Sequence, residues 1–191
     1  MNEKLKQEEK NILLAVAREA IICATRNEKL PEISLEQLSK PLIEHKASFV
    51  TLHTKNEGRL RGCIGSLEAY QPLILDVQAH AVAAALEDYR FPPVRPEELH
   101  NLRIEISCLT SPKPLEYTDT SELPLLLNPG VDGVILKDGF RRATFLPQVW
   151  QQLPDPAMFL DHLCSKMGAH PQLWQMKKLE VFIYQVEEFS E

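Results

Sequence analysis

A cysteine and an arginine stand two residues apart in a short segment that contains two glycines, Leu60–Gly65 (LRGCIG). On an extended strand, Arg61 and Cys63 project from the same face. A guanidinium close to a thiol favours the thiolate and lowers the pKa of the thiol, which suits a cysteine nucleophile or an anion pocket. Gly62 and Gly65 lack side chains, so a ligand or another backbone segment can approach closely there. The segment therefore predicts a functional site.

A structural role explains the same residues. Cys63 is then a small buried side chain, and the glycines allow tight packing of the strand on a helix. No histidine or aspartate stands beside Cys63 in the sequence to act as its base. Three roles stay open for this thiol: lining a ligand site, packing, or nucleophilic attack. The GxxG pattern does not predict a phosphate-clamping loop, because it lies in a strand context and no GK[ST] follows it.

A second candidate is the proline-rich loop Arg90–Leu99 (RFPPVRPEEL). Its three prolines fix φ and remove backbone donors, so the loop is neither a regular helix nor a central strand. Arg90 beside Phe91 on a rigid loop suits recognition of a planar or anionic ligand. In the structural alternative, Phe91 fills the core and the prolines only restrict the unfolded chain. Both alternatives stay open.

A third candidate is a polar stripe on the helix predicted over Pro72–Asp88. The helical period places Asp76, His80 and Glu87 on one side of this helix. Such an arrangement can bind a metal ion or relay a proton. It is more often the solvated face of a helix, and we predict no metal site. On the strand that follows, we expect Glu105 to pair with an arginine, either Arg61 or Arg103.

The bulk properties exclude several classes of function. The chain has 191 residues and a formal net charge of −6, which argues against nonspecific nucleic-acid binding. Its four cysteines are far apart and show no zinc spacing. The apolar run Ile12–Ala24 is too short to span a membrane, and no secretory signal is recognised. We therefore expect a cytoplasmic protein with reduced thiols and no membrane association. The GxSxG, HExxH and Rossmann motifs are absent from the sequence.

The elements that must position these residues alternate irregularly along the chain. Hairpins mixed with helices, without a regular βαβ order, predict an α+β fold in which helices pack on antiparallel sheet. We predict helices over Glu3–Arg26, Pro72–Asp88, Pro147–Leu153 and Asp155–Met167. We predict strands over Ala47–Thr54, Arg59–Ser66, Leu102–Leu109 and Leu179–Phe189, and a hairpin over Gly130–Pro147.

The order of several motifs is informative beyond these elements. LRGCIG is followed by ALEDYRFPPVRPEELHNLRIEISCLTSP, GVDGVIL, FLPQVW and FLDHLCSKMG. This series resembles the AMME-syndrome candidate-gene family, whose bacterial and archaeal members are called AmmeMemoRadiSam system protein A. The resemblance covers Leu13 to Phe189, and LRGCIG is the family's signature. Tyr89 departs from the family pattern, which often has proline at that position.

The resemblance implies a single domain over residues 1–191, with a larger lobe that holds both termini and a smaller lobe from the middle of the chain. It implies a cleft between the lobes, with the signature at its edge. It names no settled activity and no cofactor. The family name implies association with a Memo-like protein, similar to extradiol dioxygenases, and with a radical SAM protein.

We therefore predict an accessory or ligand-binding protein. The residues expected to contact a small molecule or partner are Arg61, Gly62, Cys63, Gly65, Arg90 and Phe91. The alternative is an enzyme in which Cys63 attacks a small anionic or nucleotide-like substrate while Arg61 stabilises charge.

Overall fold

A four-stranded sheet with helices on one face carries the signature segment. Strand β1 pairs antiparallel with both β2 and β3, and the strand order is β2-β1-β3-β8. The strands of this sheet are β1 (Ser48–Thr54), β2 (Leu60–Gly65), β3 (Leu102–Leu109) and β8 (Val186–Ser190). Its helices are α1 (Gln7–Thr25), the short α2 (Lys40–Ile43) and α3 (Leu73–Leu86). The signature therefore forms an edge strand of this sheet.

Alternation of side chains along the strands explains how this sheet packs. Val50 and Leu52 of β1 and Ile104 and Ile106 of β3 are fully buried, and they share a core with the apolar side of α1 and α3. The residues between them, such as Thr51, are half-buried and face the other side of the sheet. The polar residues of the signature strand therefore project from the face that the helices do not cover.

A second four-stranded sheet follows, with the order β4-β7-β5-β6. Its strands are β4 (Lys113–Pro114), β5 (Gly133–Asp138), β6 (Arg141–Phe145) and β7 (Glu180–Tyr184). The helices near it in the chain are α4 (Leu123–Leu126), α5 (Pro156–Lys166) and α6 (Leu173–Met176). Trp150 stacks on Phe159, with 3.7 Å between ring centroids, in the core of this part.

The computed structural model describes residues 4–191 and divides into two compact units. The first unit runs to Thr110 and takes in Glu187–Glu191, and the second covers Ser111–Val186. Within residues 4–191, no helix is both long enough and apolar enough to cross a membrane.

The α+β prediction, with antiparallel sheet and packed helices, is confirmed. The strand over Leu102–Leu109 has the predicted bounds, and the other main elements differ by a few residues at their ends. The final predicted strand is wrong as one element, because it divides at Gln185 into β7 and β8, which pair in different sheets. The predicted helix over Pro147–Leu153 is a 3-10 helix, Pro147–Gln151. Glu3, the predicted start of α1, lies outside the described residues.

Close packing accounts for both glycines of the signature. A Cβ atom built at Gly62 would lie 2.1 Å from the carbonyl oxygen of Ala84 on α3. A Cβ atom at Gly65 would lie 2.3 Å from the ring of Phe49. Both distances are far shorter than a van der Waals contact, so the space that each glycine leaves is already filled.

We expect Gly62→Ala to lower the free energy of unfolding by about 1–3 kcal/mol, because the carbonyl of Ala84 cannot move unless helix α3 shifts. Urea unfolding measures the loss. Gly58→Asn is the control, since no atom lies within 4 Å of its Cβ position and asparagine tolerates its φ of +64°. Equal stability of the two variants would contradict the packing explanation.

Candidate functional site

A buried carboxylate joins the signature strand to the proline-rich loop. Asp88, two residues beyond the end of α3, accepts a hydrogen bond from the backbone N–H of Cys63 through Oδ2 at 2.8 Å. Arg90 donates from Nη2 to the same oxygen at 2.7 Å and from Nε to Oδ1 at 2.9 Å. Arg90 Nη2 also donates to the carbonyl of Cys63 at 3.2 Å. We call this arrangement of Asp88, Arg90 and the Cys63 backbone the edge clamp.

The electrostatics of the edge clamp keep both side chains charged. The hydrogen bonds from Arg90 hold the pKa of Asp88 well below its usual range, although burial opposes this effect. The N–H of Cys63 lowers the pKa of Asp88 further. The hydrogen bonds to Asp88 in turn raise the pKa of Arg90. A buried carboxylate is stable only with such partners, so Asp88 and Arg90 depend on each other.

The edge clamp occupies the place of a neighbouring strand. An edge strand presents unpaired N–H and C=O groups, which are a template for pairing with another chain. At Cys63 both groups are taken, one by Asp88 and one by Arg90. Because the backbone of Cys63 faces outward, its side chain lies close to that of Thr51 opposite it on β1.

Arg61 is engaged in a second contact with the loop. Its Nε and Nη2 donate to the carboxylate of Glu98 at 2.9 and 3.0 Å, and its Nη1 donates to the carbonyl of Pro92 at 2.9 Å. These bonds from Arg61 lower the pKa of Glu98. The expected pairing of Glu105 with Arg61 or Arg103 is wrong, because Glu105 instead lies 4.0 Å from His53 Nε2. His53 and Glu105 lie on the neighbouring strands β1 and β3, so their side chains can meet. Arg61 lies on the edge strand β2, next to the loop that carries Glu98.

The thiol of Cys63 is half-buried on the face opposite the helices. Thr51 Oγ1 donates a hydrogen bond to its sulfur at 3.3 Å. Within residues 4–191, no histidine or carboxylate hydrogen-bonds this sulfur, and His53 is turned toward Glu105 and the carbonyl of Gly58. The arrangement polarises the thiol weakly and provides no base for it.

The start of the proline-rich loop presents two side chains to solvent. Tyr89 is 94% exposed. The side chain of Arg90 is 43% exposed although its guanidinium is bound to Asp88, and its Cζ lies 5.6 Å from the ring centroid of Phe91. Phe91 is half-buried. The loop thus places an aromatic and a cation at fixed positions on the surface.

The polar stripe on α3 is not a solvated face. Asp76 and His80 are buried, whereas Glu87 is exposed at the end of the helix and lies apart from them. Asp76 Oδ2 accepts hydrogen bonds from the N–H and Oγ of Ser48 at 2.9 and 2.6 Å, and Gln71 donates to its Oδ1 at 3.2 Å.

His80 Nδ1 approaches Asp76 Oδ2 at 3.1 Å and Ser48 Oγ at 3.4 Å. Because one ring nitrogen faces both groups, His80 does not link serine to aspartate as the histidine of a catalytic triad does. In the described part of the chain, no three His, Cys, Asp or Glu side chains are grouped to hold a metal ion. The cluster anchors the N-terminal turn of α3 to β1.

The sequence singled out Cys63, Arg61, Arg90 and Phe91. It missed Asp88, which binds Cys63 and Arg90, and Glu98, which binds Arg61. Asp88 had a signal, because an aspartate two residues before an arginine in a turn can bind its backbone and side chain. Contact of a ligand with the six predicted residues, Arg61, Gly62, Cys63, Gly65, Arg90 and Phe91, stays a prediction.

The second unit also carries an apolar pocket of about 550 Å³ that no motif indicated, lined in part by Tyr117, Leu125 and Lys178.

Comparisons with known proteins agree on one family. The AMMECR1 family model matches residues 14–189. A protein of Methanothermobacter thermautotrophicus is 38% identical over 191 residues, which covers 98% of this chain and 96% of that protein. A protein of Methanopyrus kandleri is 36% identical over 197 residues, with 100% of this chain and 92% of that protein covered. The crystal structure of an uncharacterised protein from Pyrococcus horikoshii matches with a TM-score of 0.82 and 34% identity, over 99% of this chain and 94% of that chain.

We expect Asp88→Asn to lower the free energy of unfolding by about 2 kcal/mol at pH 7, because the amide accepts weaker bonds from Arg90 and Cys63. The pKa of Asp88 is lowered by folding, so its stabilisation is complete above the unfolded value of about 3.9 and is lost as the pH falls below it. Urea unfolding at pH 7 and pH 3 should therefore show a difference between wild type and variant that shrinks at pH 3.

Asp155→Asn is the matched control, because Asp155 is an exposed N-cap of α5 and asparagine caps a helix equally well. Amide exchange of Cys63 should be faster in Asp88→Asn and unchanged in Asp155→Asn. A loss of stability that is the same at both pH values would contradict the charged state of Asp88.

Proposed function

The chain belongs to the AMMECR1 family, and on that premise we propose that it is an accessory protein that binds a protein partner through the surface of segment Tyr89–Arg95, beside the signature strand. The observation that carries the proposal is the edge clamp. It fixes the position of Arg90 and, one residue before it, leaves Tyr89 almost fully exposed. Tyrosine and arginine are enriched among the residues that contribute most to protein–protein binding.

Rigidity supports this proposal. A loop that becomes ordered only on binding loses conformational entropy at that step, which weakens the complex. Here Arg90 is held by Asp88, and the carbonyl of Pro92 is held by Arg61. Two of the six residues predicted to contact a ligand, Arg90 and Phe91, take this role directly in the proposal. Arg61 supports this segment through its bond to the carbonyl of Pro92, and Gly62 lets the signature strand pack closely on α3.

The identity of the partner follows from the resemblance stated above. We propose that the partner is the Memo-like protein or the radical SAM protein of the same genome, and that the complex forms in the cytoplasm. The four cysteines are all free thiols, which is consistent with a reducing compartment. The proposal also allows a small molecule to bind at the same surface, next to Cys63 and Thr51.

We expect Tyr89→Ala to weaken binding of the partner about tenfold or more, since it removes an exposed side chain of the kind that dominates interfaces. Arg90→Ala should weaken binding as well, in part because it leaves the buried Asp88 without its main partner and so disrupts the edge clamp. Calorimetric titration with the purified Memo-like protein and with the radical SAM protein measures the affinity. Phe140→Ala is the control, because Phe140 is a fully exposed aromatic on the turn between β5 and β6. Absence of binding to both proteins, or wild-type affinity in both variants, would refute the proposal.

The alternative function, an enzyme with Cys63 as nucleophile, is favoured by one contact, the hydrogen bond from Thr51 to the sulfur. A donor to the sulfur stabilises a thiolate. No base accompanies the thiol among the described residues, and the guanidinium of Arg61 is directed at Glu98 and Pro92. The arrangement therefore favours binding over nucleophilic catalysis.

We expect iodoacetamide to alkylate Cys63 no faster in the folded protein than in the urea-unfolded chain at pH 7, because no base accepts the proton of the thiol. Peptide mapping by mass spectrometry gives the rate at each cysteine. Half-buried Cys23 is the internal comparison. Burial raises the pKa of Cys108 to about 12, so this thiol should stay unreacted in the folded protein. A tenfold faster reaction in the folded protein, abolished by Thr51→Val, would show an activated thiol and would favour the enzyme alternative instead.

A further inference from the structure

The residue types of the segment Phe91–Pro96 (FPPVRP) favour a polyproline II backbone between the bend at Phe91 and the 3-10 helix that begins at Pro96. Its prolines fix φ near −65°, and a residue that precedes proline is restricted to extended conformations. This restriction covers Phe91, Pro92 and Arg95. The backbone of Arg95 is extended, with φ −98° and ψ 154°. The segment is neither helix nor strand until a 3-10 helix begins at Pro96.

Burial along this segment follows a three-residue period. A polyproline II helix has three residues per turn, so its side chains form three edges. One edge consists of Phe91 and Val94, which are half-buried and 3% exposed, respectively. A second edge holds Pro93 and Pro96, and the third holds Pro92 and Arg95, and all four are exposed. The protein buries one edge and presents the other two, which we call the proline ridge.

Hydrogen bonds fix the proline ridge before any partner arrives. The N–H of Val94 donates to the carbonyl of Ala85 at 2.8 Å. Arg61 binds the carbonyl of Pro92, and the N–H of Arg95 donates to Glu98 at 2.9 Å. These contacts anchor the ridge to the end of α3, to the signature strand and to the 3-10 helix. The ridge therefore has the low ordering cost that makes proline segments good ligands.

We propose that the proline ridge docks into an aromatic-lined groove of a partner protein, of the kind that reads polyproline II helices, with acidic residues at the rim of the groove. Domains of this kind receive two edges of the proline helix and leave the third edge outside. The pairs Pro92-Pro93 and Arg95-Pro96 supply those two edges. Arg95, which is exposed, supplies the cation that an acidic rim would bind.

This inference rests on the proposed function, because it specifies the chemistry of the partner that the same surface binds. Strand addition is the other common way to recognise an extended segment, and it needs free backbone groups on that segment. The prolines have no N–H, and the N–H groups of Val94 and Arg95 and the carbonyl of Pro92 are already hydrogen-bonded within the protein. Recognition through the side chains of the proline ridge is therefore favoured over backbone pairing.

Titration of the full chain into isotope-labelled SH3 and WW domains tests the inference, because these domains carry the proposed kind of groove. We expect saturable shifts at the groove aromatics of at least one of them. Pro92→Ala/Pro93→Ala and Arg95→Glu should each weaken this binding about tenfold or more. The matched control is Pro154→Ala, an exposed proline of the second unit, which should bind as wild type does.

Arg95→Glu changes only an exposed side chain, so it stays informative if the double proline variant fails to fold. No saturable shift with either domain, or binding that Arg95→Glu leaves unchanged, would overturn the inference. The titrations with the Memo-like and radical SAM proteins distinguish failure of the proposed function from failure of the ridge inference. If those partners bind and need Tyr89 but not Pro92, Pro93 or Arg95, the proposed function stands and the ridge inference fails. If the domains bind through the prolines while neither partner associates, the ridge inference stands and the proposed partners are wrong.

Discussion

A carboxylate that is both buried and charged constrains the region around the signature. Asp88 has almost no contact with solvent, so each of its oxygens needs donors from the protein. Arg90 supplies a guanidinium and Cys63 supplies a backbone N–H, and each of these residues is thereby held in place. The course of the chain after α3 follows from this requirement, because Arg90 must turn back toward Asp88 within two residues. The two motifs of the sequence are thus parts of one structure.

The bonds from Asp88 and Arg90 to Cys63 also limit which contacts another chain can make with the edge of β2. An unprotected edge strand invites another strand, which binds through its backbone and discriminates poorly against unwanted partners. With the groups of Cys63 satisfied by the edge clamp, the proposed partner would contact side chains beyond β2 rather than the backbone of Cys63. Those side chains are Tyr89, Arg90 and the prolines, which project from a backbone that Arg61 and Asp88 hold.

Local patterns in the sequence predicted most of the fold, and contacts between distant segments explain what they missed. The alternation of β3 and the position of the LRGCIG strand follow from side-chain period, which neighbouring residues determine. The partner of Arg61 depends on which loop crosses the sheet edge, and Glu98 is 37 positions away. The burial of Asp76 depends on Ser48 of β1 in the same way. The division of the last strand at Gln185 depends on which sheet each half joins, which local alternation does not encode.

The buried anchor of the proline-rich loop is Val94. A rigid loop needs an anchor, and Val94 provides one, because it is 3% exposed and belongs to the core of the unit that carries it. In a helix with three residues per turn, burying every third residue leaves the other two edges exposed and fixed in orientation. The burial of Val94 is therefore the same feature that holds Pro92, Pro93 and Arg95 outward. The prolines limit the entropy of the unfolded loop and, in the proposed function, also form the surface that a partner contacts.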